Sequence, residues 1–218
     1  MKIAIILSGC GNRDGSELQE TLSLMLAIDH RGWQYQCFAP KGEYTVVSHL
    51  DGSEADSPRD IYMESARIAR GNIRPITDYR PADYDALALP GGMGAARNLS
   101  TFAFDGDRMT VRADVERAIL DTYQVHKPIL AMCIAPMVLA KVLGQQGVTI
   151  TLGGPCPPAE VAKRLGARVE NCGATDVCID REHNVYTTPA YMAATRISEI
   201  FEGADHLVQC LVKIESKN

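Results

Sequence analysis

The sequence predicts an α/β fold with a mostly parallel central sheet. Short apolar runs alternate with amphipathic helical stretches, as where residues 2–7 are followed by 16–31. The runs at 84–89 and 128–132 are almost wholly apolar, the pattern of strands covered on both faces. Gly and Pro punctuate the junctions between these runs.

Taken in order, residues 2–7 read as a buried strand ending in Ser8-Gly9-Cys10-Gly11. Residues 16–31 read as a helix with Leu18, Leu22, Met25, Leu26 and Ile28 on its apolar face. Ser16 or Asp14 is its expected cap and Gly32 its stop. Residues 33–39 form a strand closed by Pro40. A helix is expected at 57–69, with Pro58 in its first turn. The strand at 84–89 ends in Pro90-Gly91-Gly92. A charged amphipathic helix at 110–125 precedes the strand at 128–132, and a helix at 135–143 stops at Gly144. Residues 148–152 read as a strand and 159–165 as a helix stopped by Gly166. The runs at 177–179 and 185–188 flank a polar turn and suggest an antiparallel hairpin or a pair of short strands. Helices are expected at 190–201 and 206–214.

The length, 218 residues, suits one domain or a domain with a small insert. A net charge of −5 without clustered Lys and Arg argues against nucleic acid or an anionic membrane as partner. The first apolar run, residues 3–7, is too short for a secretory signal or a membrane span, so a soluble cytoplasmic protein is expected. Seven cysteines at irregular spacings, with no CxxC, speak against a disulfide framework or zinc ribbon. Neither a metal nor another cofactor is expected.

In an open α/β sheet the active site lies beyond the carboxyl ends of the strands, and three strand ends here carry unusual residues. The first is Met132-Cys133-Ile134-Ala135-Pro136, where a buried strand runs straight into a cysteine and then a Pro-started helix. That is the pattern of a nucleophile elbow. The helix N-terminus beyond it should favour the thiolate. The second is Pro90-Gly91-Gly92-Met93-Gly94, where glycines let the backbone approach a substrate. The amides of Gly92 and Ile134 can together hold an oxyanion, with Gly91 beside them. No Lys-Ser or Lys-Thr follows, so this is not a phosphate loop. The third is the start of the first helix, where Glu17 and Glu20 share a face. Either can serve that helix start as a dipole complement or face Cys133 as an acid/base.

Together these segments resemble the ElbB family (sigma cross-reacting or enhancing-lycopene-biosynthesis proteins), in the PfpI-like branch of the class I glutamine amidotransferase-like superfamily. The matching stretches are ILSGCGNRDGSE, CFAP, ARIARGNIRP, LPGGMGAARNLS, MCIAP and TTPAYM, which span nearly the whole chain. The resemblance implies one domain over 1–218, a flavodoxin-like three-layer sandwich and a homodimer. It implies a nucleophile at Cys133 and oxyanion donors at Gly92 and Ile134. Counting back from Gly32, it places the acidic partner at Glu20, with Glu17 one turn earlier as second choice.

Where amidase and protease relatives carry a His after the cysteine, this chain has Ile134. His30, His49, His126, His183 and His206 match no catalytic position and read as surface residues. The resemblance therefore implies a glutathione-independent glyoxalase acting on a small dicarbonyl, glyoxal, rather than a Cys-His-Glu hydrolase. A hydrolase or amidotransferase-like enzyme remains an alternative, as does a non-enzymatic redox-sensing or regulatory role linked to isoprenoid metabolism.

Overall fold

The structure, a computed structural model, describes residues 1–215. Its first half runs β1 (Lys2–Ile6), α1 (Leu18–Asp29), β2 (Gln34–Ala39), β3 (Glu43–Tyr44), β4 (Arg59–Asp60), α2 (Ile61–Ile68), β5 (Ile73–Pro75) and β6 (Ala86–Leu89). There follow α3 (Met93–Arg97), α4 (Phe102–Asp105), α5 (Ala113–Gln124), β7 (Ile129–Met132) and α6 (Pro136–Leu143). The last part holds β8 (Thr149–Thr151), α7 (Pro157–Arg164), β9 (Arg168–Glu170), β10 (Cys178–Asp180), β11 (Val185–Thr188) and α8 (Ile197–Glu215).

Seven strands make the central sheet in the order β10-β11-β7-β6-β1-β2-β5. Every pairing is parallel except β10 with β11 at the edge. β1 leads to β2 on one side and β6 leads to β7 on the other. Right-handed crossovers therefore put α1 and α5 on opposite faces, the flavodoxin-like sandwich. β6 and β7 are buried along their whole length because both faces are covered. The order also makes β7, β6 and β1 neighbours, so the three strand ends singled out from the sequence meet at one rim of the sheet. β11, next to β7, brings a fourth. Among the described residues no helix is long and apolar enough to cross a membrane.

Several local expectations are corrected. α1 starts at Leu18 and is capped by Glu17, whose carboxylate accepts the Glu20 N–H at 2.7 Å. Ser16 and Asp14 are engaged elsewhere: Ser16 Oγ accepts from the Ser8 amide and Asp14 Oδ2 from the Val47 amide. The inward face of α1 is Glu20, Thr21, Ser23, Leu24, Met25, Ala27 and Ile28, while Leu18, Leu22 and Leu26 are exposed. α2 begins only at Ile61, capped by Asp60, because β4 takes the residues after Pro58. α6 does end at Leu143 with Gly144 as its cap, as expected, and a 3₁₀ turn over Gly144–Gln146 follows it, closed by Gly147 in the left-handed region. The two C-terminal helices are one: Ala190–Met192 is a 3₁₀ turn and α8 runs from Ile197. Gly203 does not break it, since it is buried where a Cβ would lie 3.1 Å from the Ala174 carbonyl and 3.2 Å from Thr188. β8 stands outside the main sheet and pairs with β9, an unanticipated strand, as β5 was. The hairpin β10–β11 is antiparallel.

Candidate active site

Cys133 sits in the turn between β7 and α6 with φ +59°, a left-handed conformation that few non-glycine residues adopt. Two contacts hold it there. Its N–H donates to the Thr188 carbonyl at the end of β11, at 3.0 Å, and Ala135 N–H closes the turn onto the Met132 carbonyl. This is the geometry of a nucleophile elbow. The amides of Gly92 and Ile134 both point at the sulfur. Gly92 reaches it from the β6 loop with φ +97°, and a Cβ there would lie 2.3 Å from the Gly15 carbonyl.

The carboxyl partner comes from α1. Glu20 is fully buried, and its Oε1 accepts the Tyr191 N–H at 3.2 Å. Its Oε2 has no full hydrogen-bond partner; its neighbours are the Cys133 thiol and the Gly91 amide. A Cβ on Gly91 would stand 2.3 Å from both Cys133 Cβ and Glu20 Oε2. The thiol and the carboxyl meet only because residue 91 has no side chain. Glu17, by contrast, lines the open cleft and is held by its capping bond.

Burial dominates the electrostatics. It pushes Glu20 up to about 7, helped by the charge of Glu17 and opposed by the Tyr191 amide. Burial also pushes the Cys133 thiol well above its ordinary value; the Glu20 carboxylate adds to this, and the Gly92 and Ile134 amides pull against it. The expected bias toward thiolate is therefore corrected. The helix end and amides are present, but desolvation outweighs them. Glu17 is raised in a milder way, again by burial, with the Glu20, Gln19 and Leu18 amides opposing.

Cys133 opens onto a cleft of about 730 Å³, lined also by Gly92, Ile134, Glu17, Tyr191 and His49. His49 is exposed, as expected of a surface residue, and it also borders the cleft. Its Nδ1 faces the Val47 carbonyl at 3.0 Å; its Nε2 accepts the Arg13 N–H at 3.3 Å and lies 3.9 Å from Asp14 Oδ1, a buried oxygen with no hydrogen-bond partner. It lies on the irregular segment between β3 and β4, where no periodicity announces it. Tyr191, in the TTPAYM stretch, lines the cleft and donates its N–H to Glu20, a role that no local sequence pattern announces. His183, expected on the surface, is buried between Asp180 and the Gln146 carbonyl. Among the described residues no group of three or more His, Cys, Asp or Glu could hold a metal ion.

No family model matches the chain. It is 38% identical over 228 residues to the mitochondrial ES1 protein homolog of Rattus norvegicus, covering 99% of this chain and 85% of that one. It is 39% identical to the mitochondrial glutamine amidotransferase-like class 1 domain-containing protein 3 of Homo sapiens, covering 99% and 84%. The crystal structure of an isoprenoid biosynthesis protein with an amidotransferase-like domain from Ehrlichia chaffeensis superposes with a TM-score of 0.90 at 31% identity, over 98% of this chain and 100% of that one. The mitochondrial relatives overturn the expected cytoplasmic location. That expectation rested on the shortness of an apolar run, which bears on secretion and membrane spans but not on a mitochondrial address. Similarity at this level along nearly the whole length settles the family: the chain belongs to the ES1/ElbB family of class I glutamine amidotransferase-like proteins.

Proposed function

We propose that the protein is a glutathione-independent glyoxalase that converts glyoxal to glycolate through a hemithioacetal on Cys133. The observation that carries this reading is the Glu20 carboxyl enclosed against the Cys133 thiol, with the Gly92 and Ile134 amides directed at the sulfur. Ionised Glu20 takes the thiol proton as the sulfur adds to one aldehyde carbon. The two amides hold the oxyanion. A proton then moves from that carbon to its neighbour through an enediol, leaving a thioester to glycolate. Water cleaves the thioester and restores the thiol. The net change is glyoxal plus water to glycolic acid, with no external oxidant or reductant.

The steady-state assay of glyoxal and methylglyoxal with wild type and Cys133→Ala tests it. Turnover lost in a folded variant supports the reading; turnover kept in Cys133→Ala, or absent from wild type, ends it. His49 borders the same cleft, with Nδ1 at the Val47 carbonyl and Nε2 accepting the Arg13 amide; a second reading, a cysteine hydrolase or amidotransferase-like enzyme, requires this imidazole to leave those partners and reach Cys133 as base. Ammonia release from glutamine that disappears in His49→Gln would select it.

A further inference from the structure

The cleft is far larger than glyoxal needs. Its volume of about 730 Å³ falls in the range of sites that enclose drug-sized ligands. Much of its wall is apolar, built from Leu18, Met93, Phe102, Ile134, Pro158 and Met192. Leu18, Met93 and Phe102 each open a different helix, so three chain segments converge to make this surface. Leu18 and Met93 are 40% and 37% exposed, apolar area that a bound apolar group would remove from water.

The charge of the wall is one-sided. Glu17 lines it and Glu20 lies behind Cys133, while among the described residues no Lys or Arg lines it. His49, the remaining basic group there, has Asp14 beside it. An anionic substrate would meet carboxylates without a fixed cation to bind it.

We propose that the site takes uncharged α-oxoaldehydes and related carbonyl compounds bearing an apolar substituent, the carbonyl at Cys133 and the substituent on the Leu18, Met93 and Phe102 wall. This rests on the reading of Cys133 as a carbonyl-adding nucleophile. In the addition the sulfur–carbon bond forms, the carbonyl π bond opens, and the thiol proton ends on oxygen.

The experiment has two arms. In the first, iodoacetamide, N-benzyl iodoacetamide and iodoacetate alkylate the native protein. Rates at Cys133 are read by peptide mass spectrometry and divided by each reagent's rate with free cysteine. The benzyl reagent should react on the order of tenfold faster than iodoacetamide, and iodoacetate on the order of tenfold slower. Phe102→Ala and Met93→Ala should each lose most of the benzyl gain, and the second guards against misfolding of the first. In the second arm, kcat/KM for butylglyoxal should exceed that for methylglyoxal on the order of tenfold. Equal rates for the benzyl and parent reagents, or fastest reaction with iodoacetate, overturn the proposal. A benzyl gain without turnover of any dicarbonyl upholds the apolar preference and removes the glyoxalase reading. Dicarbonyl turnover with no gain from the butyl group does the reverse. No labelling of Cys133 by any reagent, together with no turnover, removes both.

Discussion

Cys133 and Glu20 occupy one enclosed pocket, and burial drives both toward their protonated forms. The thiol can lose its proton only to a carboxylate that is free to accept it. Glu20 becomes that carboxylate as pH rises through about 7. For the proposed reaction, kcat/KM in wild type should therefore rise through an inflection near 7. Glu20→Gln should lower kcat by about 10²–10⁴ and remove that inflection. Glu17→Gln should cost far less, because a glutamine oxygen can still accept the Glu20 amide. The opposite ranking would move the chemistry to Glu17, and an inflection that survives in Glu20→Gln would belong to another group. At this scale the juxtaposition of Cys133, Gly92 and Ile134 is legible from turn and strand patterns, whereas the residues alone leave Glu17 and Glu20 open and only the family resemblance, counted back from Gly32, favours Glu20. The state of the sulfur is not legible in this way. A helix start can be read from Pro136, but the depth that desolvates the thiol comes from packing of segments far apart in sequence.

Elements are most legible in the sequence where both faces of a strand are buried, as in β6 and β7, and least where a buried polar residue interrupts the pattern. In α1 the leucines at 18, 22 and 26 form a regular stripe, yet the inward stripe begins with Glu20 and Thr21. The Glu20 carboxyl, buried beside the Cys133 thiol, displaces the hydrophobic signal there, the kind of local conflict that marks candidate functional sites. The hairpin β10–β11 was visible, but its anchor was not. His183 Nδ1 meets Asp180 Oδ2 at 2.8 Å and Nε2 meets the Gln146 carbonyl at 3.0 Å. Asp180 Oδ2 also accepts the Thr149 amide at 2.6 Å, tying the hairpin to β8. Burial alone would raise the Asp180 carboxyl, but the Thr149 and His183 amides, then the His183 ring, hold it below its ordinary value. His183→Ala leaves that buried charge without its ring partner and should cost about 3 kcal/mol. Urea unfolding of the two proteins measures it; a change under about 0.5 kcal/mol, the usual size for a surface substitution, would show that the pair holds nothing.

For the whole molecule, the Glu20 carboxyl buried beside Cys133 burdens the fold. Its folded value of about 7 exceeds its ordinary 4.5, so between these the native state binds more protons than the unfolded chain. Its favourable contribution is fully present below 4.5 and is lost as pH rises through 7. Glu20→Gln removes this dependence and should be more stable than wild type at pH 8 by up to about 3 kcal/mol. The advantage should shrink to its acid-limit value below 4.5. Unfolding curves that differ by a constant amount across this range would contradict the linkage. The order of the strands across the sheet is not written in any local pattern; chain crossovers decide it, and they bring β11 and Tyr191 to the site. The two rims of that sheet bear on how molecules meet at high concentration. β5 has only three residues, carries Arg74 and ends in Pro75, which has no N–H to offer. At the other rim β10 is equally short, with β8 packed against it. Neither rim is a long template for a foreign strand, so the folded chain resists growth into cross-β fibrils although β6 and β7 at the centre of its sheet are wholly apolar.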